Sequence, residues 1–252
     1  KPLSTAGMMI EDRTRTYTIA MERTVVPENF SFRMTDEEYR VLEKIKNSIP
    51  VCYLADHADF ALGIVTGNNK KFLSAEKTEH SEMVLKGTDI CKYHINPAKQ
   101  YLRFEPEQFQ QVAPLEIYRA PEKLLYRFIS NQLVVAYDDR QMLSLNSCNI
   151  VIPKIEGMQI KYILAILNSS VSQFVYQKEF HSIKVLRAHM EHIPIPRVGK
   201  AIQNEIIAMT EPLICGMGKE AAETCQKRLD CRIMDLFRLS AEEQWIIRHA
   251  LH

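Results

Sequence analysis

The 252-residue chain is defined first by what it lacks. No run reaches the roughly 18 uncharged apolar residues needed to cross a bilayer, so no membrane partner is expected. Glu11, Asp12, Arg13 and Arg15 interrupt the first twenty residues and exclude a secretory leader there. The chain opens on Lys1 rather than Met, which points to a fragment or a processed chain. Six cysteines, at 52, 91, 148, 215, 225 and 231, form no Cys-x-x-Cys pair; they read as reduced thiols of a cytoplasmic protein. Cys91-x-x-His94 and His189-x-x-His192 each lack a matching second pair, so no metal site is expected. A net charge of only +1 argues against a free-standing, non-specific nucleic-acid binder, whose affinity comes largely from phosphate neutralisation.

Catalytic signatures are missing too. There is no Gly-x-Gly-x-x-Gly, no Walker loop and no Gly-x-Ser-x-Gly elbow; Gly216-Met217-Gly218-Lys219 reads as an interhelical turn. Glu-x-Lys, the usual second half of a common nuclease pattern, occurs nowhere, and neither does Asn-Pro-Pro-aromatic; Asn96-Pro97-Ala98-Lys99 shares only its first two letters. No catalytic residue is expected.

What is present reads as α+β: a mixed or antiparallel sheet with flanking helices, then a helical tail. A strand-like run covers Arg15 to Ala20, and Pro27-Glu28-Asn29 marks a turn. Thr35-Asp36-Glu37-Glu38 is a capping box opening a helix with Tyr39, Leu42 and Ile45 on one face, ending before Pro50. A second helical stretch is expected over Val51 to His57. Phe60 to Leu73 reads as strand–loop–strand around Gly67-Asn68-Asn69, and residues 87–104 as irregular with a strand near Tyr101. Leu124–Ile129 and Leu133–Tyr137 form a hairpin, Asp138-Asp139 a turn, and Asn149–Ile152 another strand. Apolar residues at 160, 163, 164, 167, 171, 174 and 175 predict one helix over 160–176. His192 to Pro196 is extended, and three helices follow, the last opened by the box Ser240-Ala241-Glu242-Glu243.

Several of these segments, in order, resemble the TaqI-like C-terminal specificity domain, the target-recognition part of adenine-N6 DNA methyltransferases and of type IIG enzymes that fuse nuclease, methylase and recognition functions. Gly63 to Phe72 is similar to its entry loop, and Gly87-Thr88-Asp89-Ile90 to its glycine-led segment. Residues 121–139 resemble its hairpin, Leu145-Asn146-Ser147 the approach to its next strand, and Leu167-Asn168-Ser169-Ser170 part of its helix. Ile193-Pro194-Ile195-Pro196 resembles its end, and residues 229–243 the short helical tail that follows. One departure is Phe237-Arg238, where the tail usually has an aromatic–Gly pair.

The resemblance implies a connecting segment over 1–35, a recognition domain over 36–196 and a separable helical segment over 197–252. It implies double-stranded DNA as partner, together with a methyltransferase catalytic domain of the same parent chain. That domain, not this one, would use S-adenosylmethionine; no cofactor is expected in this chain. Alternatives are a protein-interaction scaffold and an enzyme of unrecognised chemistry.

The candidate DNA contacts follow from residue chemistry inside that frame. Gly67 lets backbone approach a phosphate beside Thr66, Asn68 and Asn69 suit bidentate pairing with adenine, and Lys70 and Lys71 suit phosphates. A solvated turn is the plainer reading of the same six residues. Arg127 either reaches DNA or pairs with Asp138 or Asp139 across the hairpin. Asn168 and Ser169 interrupt an apolar helix, as a phosphate contact or as a solvent face or bend. Lys178, His181, Lys184 and Arg187 form a loosely basic stretch, of which Lys184 and Arg187 are the candidate contacts. Tyr93 and Tyr137 read as packing aromatics.

Overall fold

The computed structural model describes residues 7–11, 16–20, 34–180 and 182–251, the two short N-terminal spans by backbone only. The turn expected at 27–29 lies outside the described residues, as does His181. Strands β1 (Gly7–Glu11) and β2 (Thr16–Ala20) pair antiparallel. Helix α1 (Asp36–Asn47) starts at the expected box: the Glu38 N–H donates to Thr35 Oγ1 and the Thr35 N–H to Glu38 Oε2, at 3.2 and 2.9 Å. Its Val41, Leu42 and Ile45 are buried.

The centre is a four-stranded antiparallel sheet in the order β4 (Ala58–Ala61), β11 (Cys148–Pro153), β8 (Lys123–Arg127), β9 (Val135–Asp138). Both of its faces are covered. Leu124, Tyr126, Val135, Tyr137 and Val151 face a large core shared with the helices. Leu125, Ala136, Cys148 and Ile150 face a smaller core. That smaller core lies under a second four-stranded sheet, in the order β10 (Leu143–Ser144), β6 (Glu82–Leu85), β7 (Tyr101–Leu102), β5 (Leu73–Ser74). Alternation of side chains along a strand explains the division, since successive residues point to opposite faces. It also explains why Leu124-Leu125-Tyr126 is apolar without a break.

Three expectations change. Residues 51–57 are not helical: β3 (Val51–Cys52) pairs antiparallel with β12 (Ile195–Pro196), closing the domain's two ends on each other. The helix expected over 160–176 is two, α4 (Ile160–Asn168) and α5 (Ser170–Glu179). Ser169 breaks it by turning extended (ψ 159°) and capping α5, its Oγ accepting the Ser172 N–H. The 66–71 loop contains a single helical turn, α2 (Asn69–Phe72).

The tail forms α7 (Lys200–Cys215), α8 (Lys219–Leu236) and α9 (Ala241–Ala250), after the short helices α3 (Leu115–Tyr118) and α6 (Arg187–Glu191). Ile206, Leu213, Leu229, Ile233, Phe237 and Ile247 belong to the same core as Leu164 and Phe174. Each such burial is worth roughly 1.5–3 kcal/mol. Polar bonds cross as well: Asp230 accepts the Ser170 N–H and hydroxyl at 2.9 and 2.8 Å, and Gln203 accepts the Gln159 N–H at 2.9 Å. Residue 196 is therefore not a boundary in packing, and the separability expected of the tail has no packing basis.

The Phe237-Arg238 departure is accommodated directly. Arg238 takes a left-handed conformation (φ 54°), its N–H donating to the Asp235 carbonyl, while the Leu239 N–H reaches the Met234 carbonyl. This is the double bond of a glycine-type helix stop, formed without glycine.

Candidate nucleic-acid interface

Several loops meet at one end of the central sheet, where β4 and β8 finish and β11 begins. Two glycines make the meeting possible. A Cβ on Gly63 would lie 2.1 Å from the Leu145 carbonyl oxygen, and one on Gly87 2.5 Å from that of Ser147. Neither position has room for a side chain. The Gly87 N–H donates to Ser147 Oγ at 3.0 Å, and Ile64 and Leu145 form a parallel bridge.

The 66–71 loop leaves this end through Ile64 and Val65. Thr66 is buried and its hydroxyl donates to Asn69 Oδ1 at 2.6 Å. Gly67 is left-handed (φ 75°), the reason for glycine there. Asn68 caps α2, its Oδ1 accepting the Lys71 N–H at 3.2 Å. Each asparagine carbonyl thus already accepts one hydrogen bond and keeps a second lone pair for a base edge. Lys70 and Lys71 are exposed; Lys71 Nζ lies 3.4 Å from Gln108 Oε1 and 4.6 Å from the Phe72 ring centre.

Arg127 projects from the end of β8 on the face opposite the buried Tyr126, as the alternation requires. It pairs with neither aspartate: Nη2 donates to the Ile90 carbonyl, and buried Nε has no partner among the described residues. The cross-hairpin ion pair belongs instead to Lys123 and Asp138, 2.5 Å apart and wholly buried. Asp138 also accepts the Arg140 and Met142 N–H groups, which builds the expected turn.

Asn168 and Ser169 are interior residues. Asn168, 1% exposed, accepts the Val135 N–H at 3.1 Å and donates to the Val135 carbonyl at 2.8 Å. It thereby supplies edge strand β9 with a substitute partner. Ser169 donates to the Ile166 carbonyl at 2.7 Å. Both side chains hold the fold and are removed from the candidate contacts, because a phosphate could reach them only by displacing these bonds. Lys178 also leaves the basic stretch, being 9% exposed and 2.8 Å from Glu38.

Lys184 and Arg187 stay on the surface. The 183–185 segment runs antiparallel to 128–130, just beyond β8. Arg187 pairs with Glu191 at 2.7 Å and stands 5.2 Å from the Phe60 ring centre. It lines a groove of about 700 Å³ with Phe60, Leu62, Gly63 and Gln111. A second groove, about 430 Å³, is lined by Lys86, Thr88, Asp89, Asn96 and Lys99 beside the Gly87 turn. Sequence reading missed Lys86 and Lys99; only the glycine-led segment between them pointed there. Three segments near this end thus carry surface cations, Lys70 and Lys71, Lys86 and Lys99, and Lys184 and Arg187, of the kind that suits phosphate contacts. Tyr93 and Tyr137 are interior, and burial pushes both phenols up. Among the described residues no group of three or more metal-ligating side chains forms, and no helix is long and apolar enough to cross a membrane.

The central sheet is thus covered on both faces, with basic loops beside one of its ends. The family model of the TaqI-like C-terminal specificity domain matches residues 82–195. The chain's fold is similar to that of the type IIL restriction–modification enzyme MmeI, solved in complex with DNA: TM-score 0.54, 10% identity, 79% of this chain and 35% of that one. It is also similar to the HsdS subunit from Thermoanaerobacter tengcongensis (TM-score 0.42, 14% identity, 86% and 50%) and to the type IIG restriction endonuclease BpuSI (0.44, 10%, 88% and 35%). The chain spans about half or less of the length of these solved structures. No curated protein matches it in sequence.

Proposed function

We propose that this chain reads DNA sequence for a restriction–modification enzyme and leaves the chemistry to another part of the assembly. The carrying observation is that the specificity-domain match, residues 82–195, covers β8, β11 and the segments that carry Lys86, Lys99, Arg127, Lys184 and Arg187, while β4 and the 66–71 loop precede it. Base edges are read at that sheet end, while the surrounding lysines set register on the phosphates. The parent is an adenine-N6 DNA methyltransferase or a type IIG enzyme with its catalytic domain in the same chain. That domain flips the target adenine and takes the methyl group from S-adenosylmethionine. The same reading puts the protein in the cytoplasm, with the bacterial chromosome.

The test is binding of the intact protein to duplexes selected from a randomised pool, against scrambled controls. One sequence should be enriched and bound at least about 10³-fold more tightly than scrambled DNA. Equal affinity for all duplexes would refute the proposal.

A further inference from the structure

Beyond β8 the chain makes a short two-stranded ribbon with the segment before α6. The Ser130 N–H donates to the Ile183 carbonyl at 2.9 Å and the Val185 N–H to the Phe128 carbonyl at 2.8 Å. Between these bonds Ile129 and Lys184 stand directly opposite each other. In such a non-hydrogen-bonded pair the side chains are close and leave the same face. On the other face Val185 is buried, while Ile183, towards the ribbon's open end, is 70% exposed; Ile129 and Lys184 leave the face away from Val185. Ile129 is 60% exposed there, only two residues past Arg127. Lys184 is exposed beside it and makes no ion pair among the described residues.

We infer that Ile129 reads the methyl group of a thymine in the major groove, with Lys184 on the flanking phosphate. This rests on the DNA-reading function proposed above. The major groove, about 12 Å wide, admits a two-stranded ribbon, and the only apolar group on its floor is the thymine C5-methyl. Isoleucine suits that contact because its branched Cβ holds χ1 nearly fixed, so little freedom is lost on binding. The paired cation complements a duplex. A protein partner fits less well, because the exposed apolar side chains of this segment, Ile129, Ile183 and Leu186, are too few for the roughly 1,200–2,000 Å² of a stable protein interface.

The experiment takes the intact protein and its selected duplex and replaces each thymine in turn by deoxyuridine, which lacks only the methyl. One replacement should weaken binding about fourfold, the worth of one buried methyl-sized group. Ile129→Ala should lose about the same on the thymine duplex and bind both duplexes equally. Ile129→Val, which keeps a branched apolar tip, should retain part of the discrimination. Ile183→Ala, altered on the opposite face, should retain all of it. Insensitivity of the unaltered protein to every replacement overturns the inference, as does discrimination that survives Ile129→Ala. So does loss of the catalytic component by Ile129→Ala with discrimination intact, which would make the ribbon a protein contact. If the unaltered protein prefers no duplex at all, the DNA-reading proposal itself fails, and this inference with it.

Discussion

Lys123 and Asp138 offer the sharpest test of how the β8–β9 hairpin is held. They are register partners at the far end of β8 and β9 from Arg127, 2.5 Å apart and with neither side chain exposed. Lys123 Nζ also donates to the Tyr118 carbonyl at 2.6 Å, and Asp138 accepts two turn N–H groups at 2.9 and 3.0 Å. Burial drives the lysine's pKa down, and Asp138 opposes that shift. Replacing such a pair with apolar groups can be neutral, whereas removing one partner strands the other charge. Lys123→Met leaves a carboxylate facing two N–H donors, and Asp138→Asn leaves an ammonium facing one carbonyl and a neutral amide. Each single change should cost about 3–5 kcal/mol. The double variant strands no charge, so it should cost less than the sum by about 2–3 kcal/mol. Urea unfolding at pH 7 measures all three free energies. The duplex preference of the folded variants should not change, because the ribbon lies at the other end of the strand. Single-variant costs under about 1 kcal/mol, or additivity within about 0.5 kcal/mol, would refute the reasoning.

Arg238→Gly should be stabilising. A non-glycine residue in the left-handed region costs roughly 1–2 kcal/mol, and glycine's extra freedom in the unfolded chain returns about 0.4–1 of that. The net gain is about 0.5–1 kcal/mol, read as a higher urea midpoint; a loss would show that the Arg238 side chain contributes more than its backbone costs. Stability should also fall on acidification through His189. Its ring stacks on Phe180 at 4.4 Å and its Nδ1 accepts the Leu186 N–H at 3.2 Å; burial first, and then His192, hold its pKa below the usual 6.5. A depressed pKa means the fold prefers the neutral ring, so this contribution is complete above pH 6.5 and lost as pH falls through the folded-state pKa. His189→Gln should flatten the Tm-against-pH curve between pH 7.5 and 5, and an unchanged curve assigns the acid loss to other groups. Lys70→Ala with Lys71→Ala should weaken binding to all duplexes alike and lower the salt slope by about one unit per phosphate contact. An unchanged slope would take that loop off the interface.

Local chemistry was legible in the sequence. The boxes at Thr35 and Ser240 each use a side chain three residues from its partner, and both helices begin where those residues say. The 123–138 hairpin and the tail helices were equally readable, because turn residues and apolar spacing act over one element. The ordered likeness to a specificity domain was legible as well. What sequence reading missed depended on partners far along the chain. Val51–Cys52 is a strand because Ile195–Pro196 arrives to pair with it. Asn168 looked like a polar break open to solvent, yet it is interior because β9 is an edge strand in need of a partner. Arg127 seemed free to meet Asp138, but Lys123 occupies the register position across from it. Hydrogen-bond satisfaction and burial are properties of the assembled layers. Tertiary structure alone therefore decided which of the chain's polar residues serve the fold and which remain on the surface.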